Sequence, residues 1–464
     1  EGTSITSYLE NYKSKGVENL AGEVGSSNIL ATWSISMEKV KQKSLEAAFM
    51  LEACSYLNPE NIPLSLFEHG GLLGDPSKVQ EALRVLREYS LVQSSKVDDQ
   101  IRVHRLVQAV TRHKDASAEA PAQIVKKIEK LKSAIVASYP KYKIKANDYE
   151  TVRELLPHIE SLAENLKPYA NLVQGRSGMK EVLQAYFKKT GVIVEKEAAE
   201  DYFAARLSDK LNAGVILQAE LLSMLSDGLY TLGEYSRSKE VLEKVIDIKE
   251  RYYSQNTPEV SVTMTSLGIT LRELGDSTSA QKILEKALSS HERVHSSGHP
   301  EVADVLVALG TTLCSTGKYD ESRKFLEKAL KIKESHSGVD HPETASVLTG
   351  LANSMYNLKE YTKSKEILER ALKIQEGYLG MDHLEVSITL ASLGKTLSLL
   401  GEYEAGKEAL EKALRIQEVH YGKEHLKVAA TLTELHDVLQ NLGDNEGSKT
   451  SLEKAILIKE NSYG

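Results

Sequence analysis

The phrase Leu-Glu-Lys-Ala-Leu, or a close variant, begins at Leu242, Leu284, Leu326, Leu368, Leu410 and Leu452, a step of 42 residues each time. The same step connects His299, His341, His383 and His425, and it recurs among Gly233, Gly275, Gly317, Gly401 and Gly443. Three landmarks in one register restrict residues 214–464 to an array of repeats. A single unit of this size cannot bury its apolar face, so the units must stack and prop one another.

In the stretch 302–334, Leu306, Leu309, Gly310 and Leu313 fall at helical spacing on one face. Gly317 suits the left-handed end of that helix. Tyr319 packs the turn, and Ser322, Leu326, Ala329 and Leu330 make the stripe of a second helix. The small residues Gly310, Ser322 and Ala329 let the two helices come close. His341-Pro342-Glu343 then restarts the pattern, with proline in a first turn and an acid beside the helix's positive end.

These residues resemble the tetratricopeptide repeat, and the 42-residue step resembles its kinesin-light-chain-like subtype; the ordinary repeat has about 34 residues. The resemblance covers six repeats over 214–464. It implies a right-handed α-solenoid whose first helices line a concave groove. With the packing glycine as the eighth position, Val307, Thr311, Cys314 and Ser315 face that groove from one repeat, and Thr349, Asn353, Tyr356 and Asn357 from the next. Lys395, Ser398, Thr433, Asp437 and Gln440 follow. This lining reads as mostly neutral and polar, suited to a protein or peptide ligand. Asn353 and Lys395 match only part of the clamp of chaperone-tail receptors. Ala308, Gly350 and Ser392 stand where cargo-binding kinesin light chains carry asparagines. A degenerate repeat is expected over 174–213, with Gly191 in register, after a helical linker over 117–173 with helices at Ala122–Ser138 and Tyr149–Leu166.

The stretch 25–116 has no partner in this register. Helical spacing runs over Trp33–Val40, Ser44–Tyr56, Pro63–His69 and Ser77–Glu88. Strands follow at Leu91–Ser94 and Gln100–Val103, and a last helix starts near His104. Helices with one small β-hairpin are a winged-helix pattern, so the whole chain reads as mainly α. Ala-Thr-Trp-Ser-Ile-Ser (31–36), Leu-Asn-Pro-Glu-Asn-Ile-Pro (57–63), Leu-Arg-Glu-Tyr-Ser-Leu-Val (86–92) and Val-His-Arg-Leu-Val-Gln (103–108) resemble the winged-helix domain of NB-ARC (STAND-type) signalling NTPases. Glu-Leu-Leu-Pro-His (154–158) resembles the linker found there, and residues 1–24 the tail of the preceding helical subdomain. The resemblance implies that His104 faces a bound nucleotide's β-phosphate, with Arg105 in place of the family's acidic residue. ADP or ATP is then expected only together with a nucleotide domain outside this sequence; the opening Glu-Gly-Thr reads as part of a longer protein.

Sequence motifs for chemistry do not survive inspection of their register. His291-Glu-Arg-Val-His295 spells H-E-x-x-H, which on a helix sets two imidazoles on one face for zinc. Yet Glu292 is the repeat's own glutamate, equivalent to Glu250, Glu334, Glu376, Glu418 and Glu460, and the third histidine of the longer pattern would fall at Glu301. Gly394-Lys395-Thr396 mimics the end of a phosphate-binding loop, but Thr389 occupies the required earlier glycine and Gly394 is a packing glycine. The periodic histidines lie roughly 20 Å apart in such a stack, too far to share an ion, and belong to helix starts. No catalytic group and no metal site is expected.

Composition narrows the rest. Two cysteines, Cys54 and Cys314, give no disulfide framework and read as inert core or groove residues. The net charge is −8, and residues 1–115 carry 13 basic against 15 acidic side chains, which disfavours a DNA-reading winged helix. No run is long and apolar enough for a membrane span. The expectation is a non-enzymatic, cytoplasmic region of an NB-ARC-type NTPase whose groove holds an activating partner, or the NTPase core itself at rest. The alternative is a kinesin-light-chain-like adaptor binding cargo peptides.

Overall fold

The computed structural model describes residues 36–68, 72–95, 99–118, 121–138, 146–170, 198–253, 257–294 and 298–463. The chain divides into two compact units, one of Glu1–Tyr139 with Glu154–Met224, the other of Pro140–Arg153 with Leu225–Gly464. The stretch 1–24, Trp33, most of the 31–36 phrase, Gly191 and His295 lie outside the described residues.

In the first unit, α1 covers 36–43, α2 Leu45–Cys54, β1 Ile62–Pro63, α3 Ser65–Glu68, α4 Pro76–Glu88, β2 Val92–Ser94, β3 Gln100–Val103 and α5 Arg105–Ala118. Then come α6, Pro121–Ser138, and α7, Ala146–Ala170, of which the part from Glu154 on belongs to this unit. Helix α2 begins where the Ser44 hydroxyl accepts from Ala47 N at 3.0 Å, and it buries Ala47, Ala48, Met50, Leu51, Ala53 and Cys54. Helix α4 begins at Asp75 with proline in its first turn, and turns Val79, Ala82, Leu83, Val85 and Leu86 inward against α2.

The expected hairpin is a three-stranded antiparallel sheet in the order β1-β3-β2, with Ile62 opposite Ile101 and Val92 opposite Val103. The helix expected over Pro63–His69 is correspondingly reduced to Ser65–Glu68. Ile62 precedes a proline, which disfavours helix there, and Pro63 sits on the edge strand where its missing N–H costs nothing. Gln108 ties α5 to α2 by donating to Cys54 O at 2.8 Å and Leu57 O at 3.0 Å. His158 is 1% exposed and donates through Nε2 to Asn61 O at 3.3 Å. Three phrases singled out in the sequence thus meet in one core.

Helix α8, Ala198–Thr231, runs unbroken through Gly214, where the sequence suggests a border between repeats. Six hairpins follow from its C-terminal part. Their remaining helices are α9 (Tyr235–Tyr253), α10 (Pro258–Glu273), α11 (Ser277–Val294), α12 (Pro300–Ser315), α13 (Tyr319–His336), α14 (Pro342–Asn357), α15 (Tyr361–Leu379), α16 (Leu384–Leu399), α17 (Tyr403–Tyr421), α18 (Leu426–Asn441) and α19 (Asn445–Tyr463). From α10 onward each first helix packs on its own second helix, and α10, α12, α14 and α16 each also touch the first helix of the next hairpin. That puts the first helices on the tighter, inner curve. This is the tetratricopeptide solenoid.

Inside a hairpin the two helices are clasped at one place. The Ser322 hydroxyl donates to Gly310 O at 2.7 Å, Ser364 to Ala352 O at 2.9 Å, and Ser238 to Ser226 O at 3.0 Å. A Cβ on Gly310 would stand 2.7 Å from Leu326 Cγ, so the leucine of the repeated phrase fills the space a side chain would need. The turn between helices has a left-handed residue, as at Gly317 (φ 81°), and Lys359 adopts the same conformation (φ 66°) where the register lacks glycine.

Two outcomes are expected. Gly310→Val should destabilise the array by about 1–3 kcal/mol through overpacking, seen as a lower urea midpoint at unchanged slope; Ala352, fully buried in the same register, shows that a lone methyl can be housed. In the first unit, burial pushes the His158 imidazole down to about 4, partly offset by its bond to Asn61 O. The unfolded chain therefore takes up a proton near pH 6.5 that the folded unit refuses, and stability falls as pH drops from about 6.5 to 4, by up to about 3 kcal/mol. Hydrogen exchange at the β3 amides, corrected for intrinsic rates, should show that loss in the wild type and much less of it in His158→Gln.

Candidate functional site

A cavity of about 1070 Å³ opens on the inner curve of the second unit. Tyr230, Tyr235, Arg272 and Glu273 line it from the early hairpins, Val307, Thr311, Cys314, Ser315, Thr349, Asn353 and Asn357 from the middle ones, and Glu385 and Lys427 from the late ones. Seven groove positions expected from the register are therefore here. Six others are not: Tyr356, which shares α14 with Asn353 and Asn357, and Lys395, Ser398, Thr433, Asp437 and Gln440 on later hairpins. Among these, Lys395 lies 5.0 Å over the Tyr356 ring and 3.0 Å from Glu434, so it is held within the protein.

The early and late hairpins are joined across 154 residues of sequence. Lys427 Nζ donates to Glu273 Oε2 at 2.8 Å, while Arg272 Nη2 donates to Glu273 Oε1 at 2.8 Å and Nη1 to the Thr311 hydroxyl. Beside this bridge, His425 Nε2 sits where a Cβ on Gly233 would be, 2.8 Å away, and Gly233 also has φ 78°. Glycine is demanded there twice, by backbone conformation and by the approach of a histidine from five repeats on. The His425 ring stacks on Tyr421 with centroids 4.4 Å apart.

Electrostatics follow from this closure. Burial raises the Glu273 carboxyl, but Lys427 and Arg272 outweigh it and hold the group below the usual carboxylate range. Burial and the Glu273 charge push Tyr235 up to about 12, and Tyr230, its rings 5.3 Å away, higher still. Burial and Lys427 lower His425. A second bridge forms where Lys333, 7% exposed, meets Asp304 at 2.6 Å and Glu343 at 3.0 Å. The lining is thus more charged than the neutral surface expected from sequence, because the register names groove positions within one repeat and not the contacts made by the ends of distant ones.

The chemical motifs resolve as follows. His299, His341, His383 and His425 are N-caps, each Nδ1 accepting from the backbone N–H two residues on at 3.3, 3.3, 3.2 and 3.1 Å. His291 is buried with Nδ1 3.5 Å from Glu301 Oε2, Glu292 points to solvent, and among the described residues no three His, Cys, Asp or Glu side chains gather as a metal site. Gly394 lies inside α16 against Leu410, and Thr396 is 1% exposed, so this stretch is no phosphate loop. Burial pushes both thiols up: Cys54 is in the core, and Cys314 lines the cavity near Asn357 Nδ2. His104 is exposed and caps α5, its Nδ1 accepting from Leu106 N at 3.2 Å.

Residues 217–293, 259–335 and 343–418 match the tetratricopeptide repeat family, and residues 36–119 match a domain of unknown function (DUF7779). No curated protein matches the chain. Among solved structures, a Podospora anserina protein described as a kinesin light chain with nearly identical TPR-like repeats is 21% identical, covering 44% of this chain and 97% of that one, TM-score 0.36. BtubC (BKLC) from P. vanneervenii is 19% identical over 51% of this chain and 92% of that one, TM-score 0.38. A signal transduction ATPase with numerous domains carrying a tetratricopeptide repeat sensor, from Pyrococcus horikoshii, is 17% identical over 90% of this chain, which spans 64% of that one, TM-score 0.37. Residues 217–418 are tetratricopeptide repeats, a scaffold for protein–protein interaction. No helix among the described residues is long and apolar enough to cross a membrane.

The closure has a measurable signature. Glu273→Gln strands two cations, one on the 20%-exposed Arg272, and should cost about 1–3 kcal/mol by urea denaturation. Lys427, 47% exposed, should cost under about 1 kcal/mol when changed to Met, and the double variant should show coupling between the two sites. Because the Glu273 pKa is lowered on folding, its contribution is present at neutral pH and lost as pH falls through the carboxylate range.

Proposed function

We propose that this chain is the sensing and regulatory part of an NB-ARC (STAND-type) signalling NTPase. In this reading the inner cavity of the repeats receives a protein or peptide ligand, and a winged-helix domain over 25–116 passes that event to a nucleotide domain of the same protein. The observation that carries it is the open cavity on the first helices, apolar over much of its surface with charged and amide side chains set into it, and large enough for several side chains of a bound segment. Within it the Asn353 side-chain amide makes no hydrogen bond among the described residues, which leaves one donor pair and one acceptor for a peptide backbone.

The first unit supports the relay. Its short helices and three-stranded antiparallel sheet suit a winged helix, and His104 stands exposed at the end of β3 with Nε2 unspent by its cap. A β-phosphate at that nitrogen would form a charge-assisted bond of about 1.5–3 kcal/mol. The repeats would act on that contact by binding either a partner or the resting nucleotide domain.

In the full-length protein, His104→Ala should speed ADP release by about tenfold or more, measured with a fluorescent ADP analogue. Unchanged release would remove the histidine from the nucleotide site. Association of this chain with the nucleotide domain should also differ between ADP and ATP states; no association in either would end the relay.

A further inference from the structure

One register position in the array is filled by an acid whose facing basic residue has been replaced. The first turn of successive first helices carries Glu259, Glu301, Glu343, Glu385 and then Lys427, each 42 residues on. Facing it from the preceding second helix stand Lys249, His291, Lys333, Gln375 and Gln417 in the same step. Lys333 donates to the Glu343 carboxylate at 3.0 Å and His291 lies 3.5 Å from that of Glu301, while Lys249 Nζ reaches the backbone Glu259 O at 3.2 Å. At the fourth place the cation is replaced by Gln375, whose side-chain oxygen accepts from the Thr389 hydroxyl at 2.7 Å.

Glu385 is left with no cation and no hydrogen-bond donor at its side chain among the described residues, and the group it acts on electrostatically is the Tyr230 phenol. Protein rings it, yet part of its surface opens into the cavity. The other cavity charges are satisfied internally: Arg272 and Lys427 by Glu273, and Lys333 by Asp304 and Glu343. Three cations against four carboxylates leave a formal net of −1, and Glu385 is the one carboxylate among them with no cation beside it, so burial raises its carboxyl above the usual range. A helix start accounts for an acid at this place. It does not account for the loss of the basic residue that the three preceding places carry, one of which, Lys333, meets its glutamate's carboxylate directly.

We infer that Glu385 is the recognition carboxylate of the cavity, binding the guanidinium or ammonium of a basic side chain on the peptide segment that the array receives. This rests on the reading of the cavity as a peptide site. The ligand cation would take the place that Lys333 takes at Glu343. The Asn353 amide, in the same cavity, would hold the neighbouring peptide bond.

The test uses two mixed pools of nine-residue peptides, neutral except at the centre, which is arginine in one pool and its uncharged isostere citrulline in the other. Equilibrium dialysis against the whole chain should show the arginine pool retained about tenfold better, the worth of one charge-assisted hydrogen bond. Glu385→Gln should abolish the preference. Gln375→Lys should abolish it too, by placing beside Glu385 the cation that Lys333 gives Glu343 at 3.0 Å; the Lys249–Thr263 bond at 2.9 Å shows that a threonine in the register of Thr389 accommodates a lysine there. Equal retention of both pools overturns the inference and leaves the peptide groove standing. A preference that survives Glu385→Gln overturns it as well. Retention of neither pool overturns the groove reading and the inference together.

Discussion

The close approach of two helices at one small residue underlies the whole array. In the register of Gly310 stand Ser226, Gly268, Ala352, Gly394 and His436, and opposite them Ser238, Ala280, Ser322, Ser364, Gly406 and Ser448. Where the first helix offers a small residue and the second a serine, a hydroxyl-to-carbonyl bond forms across the contact and the phrase's leucine closes over it. Where both are glycine, at 394 and 406, the backbones themselves touch, and a Cβ on Gly406 would lie 3.1 Å from Gly394 O. At the last hairpin His436 is too large for this, and its Nδ1 bonds Ser448 instead, 2.8 Å away. A 42-residue step is thus a requirement that two surfaces meet at a fixed height, once per turn of chain.

Uniform hairpins would make a uniform groove, and specificity comes from the few register positions that differ. Lys427 stands where four earlier repeats carry glutamate, and it reaches Glu273 across the cavity instead of a neighbour along the stack. Gly233, one of six similar turns, is the one that receives His425. These contacts bring the first and last hairpins together over the same space. The floor of that space is set by the repeat; its ends are set by departures from it.

Much of this is legible in the sequence because repetition converts one local argument into six. The turn glycines, the histidine caps and the helix boundaries all follow from chemistry within a few residues, and Lys359 shows the register prevailing even where its preferred residue is missing. The groove floor at Val307, Thr311, Asn353 and Asn357 follows in the same way. What could not be read depends on partners far apart. The third strand needs Ile62 beside Ile101, and the Glu273–Lys427 bridge needs the curvature of the entire stack. Tyr356 and Lys395 have the right register and yet serve each other and Glu434. A register gives direction along a helix but not which neighbour takes up the side chain.

An unpaired carboxylate is costly in a compact domain, where a single core must absorb the whole penalty. A solenoid distributes stability over repeat interfaces, so a loss at one hairpin is borne by those on either side. The Gln375–Glu385 place is flanked by Lys333 bridging Asp304 and Glu343 on one side and by the Gln417–Thr431 bond at 2.7 Å on the other. The strain of leaving Glu385 open therefore sits between two well-satisfied contacts of the same kind. That placement is what a binding site in a repeat protein requires: local dissatisfaction, held rigid by neighbours that have none.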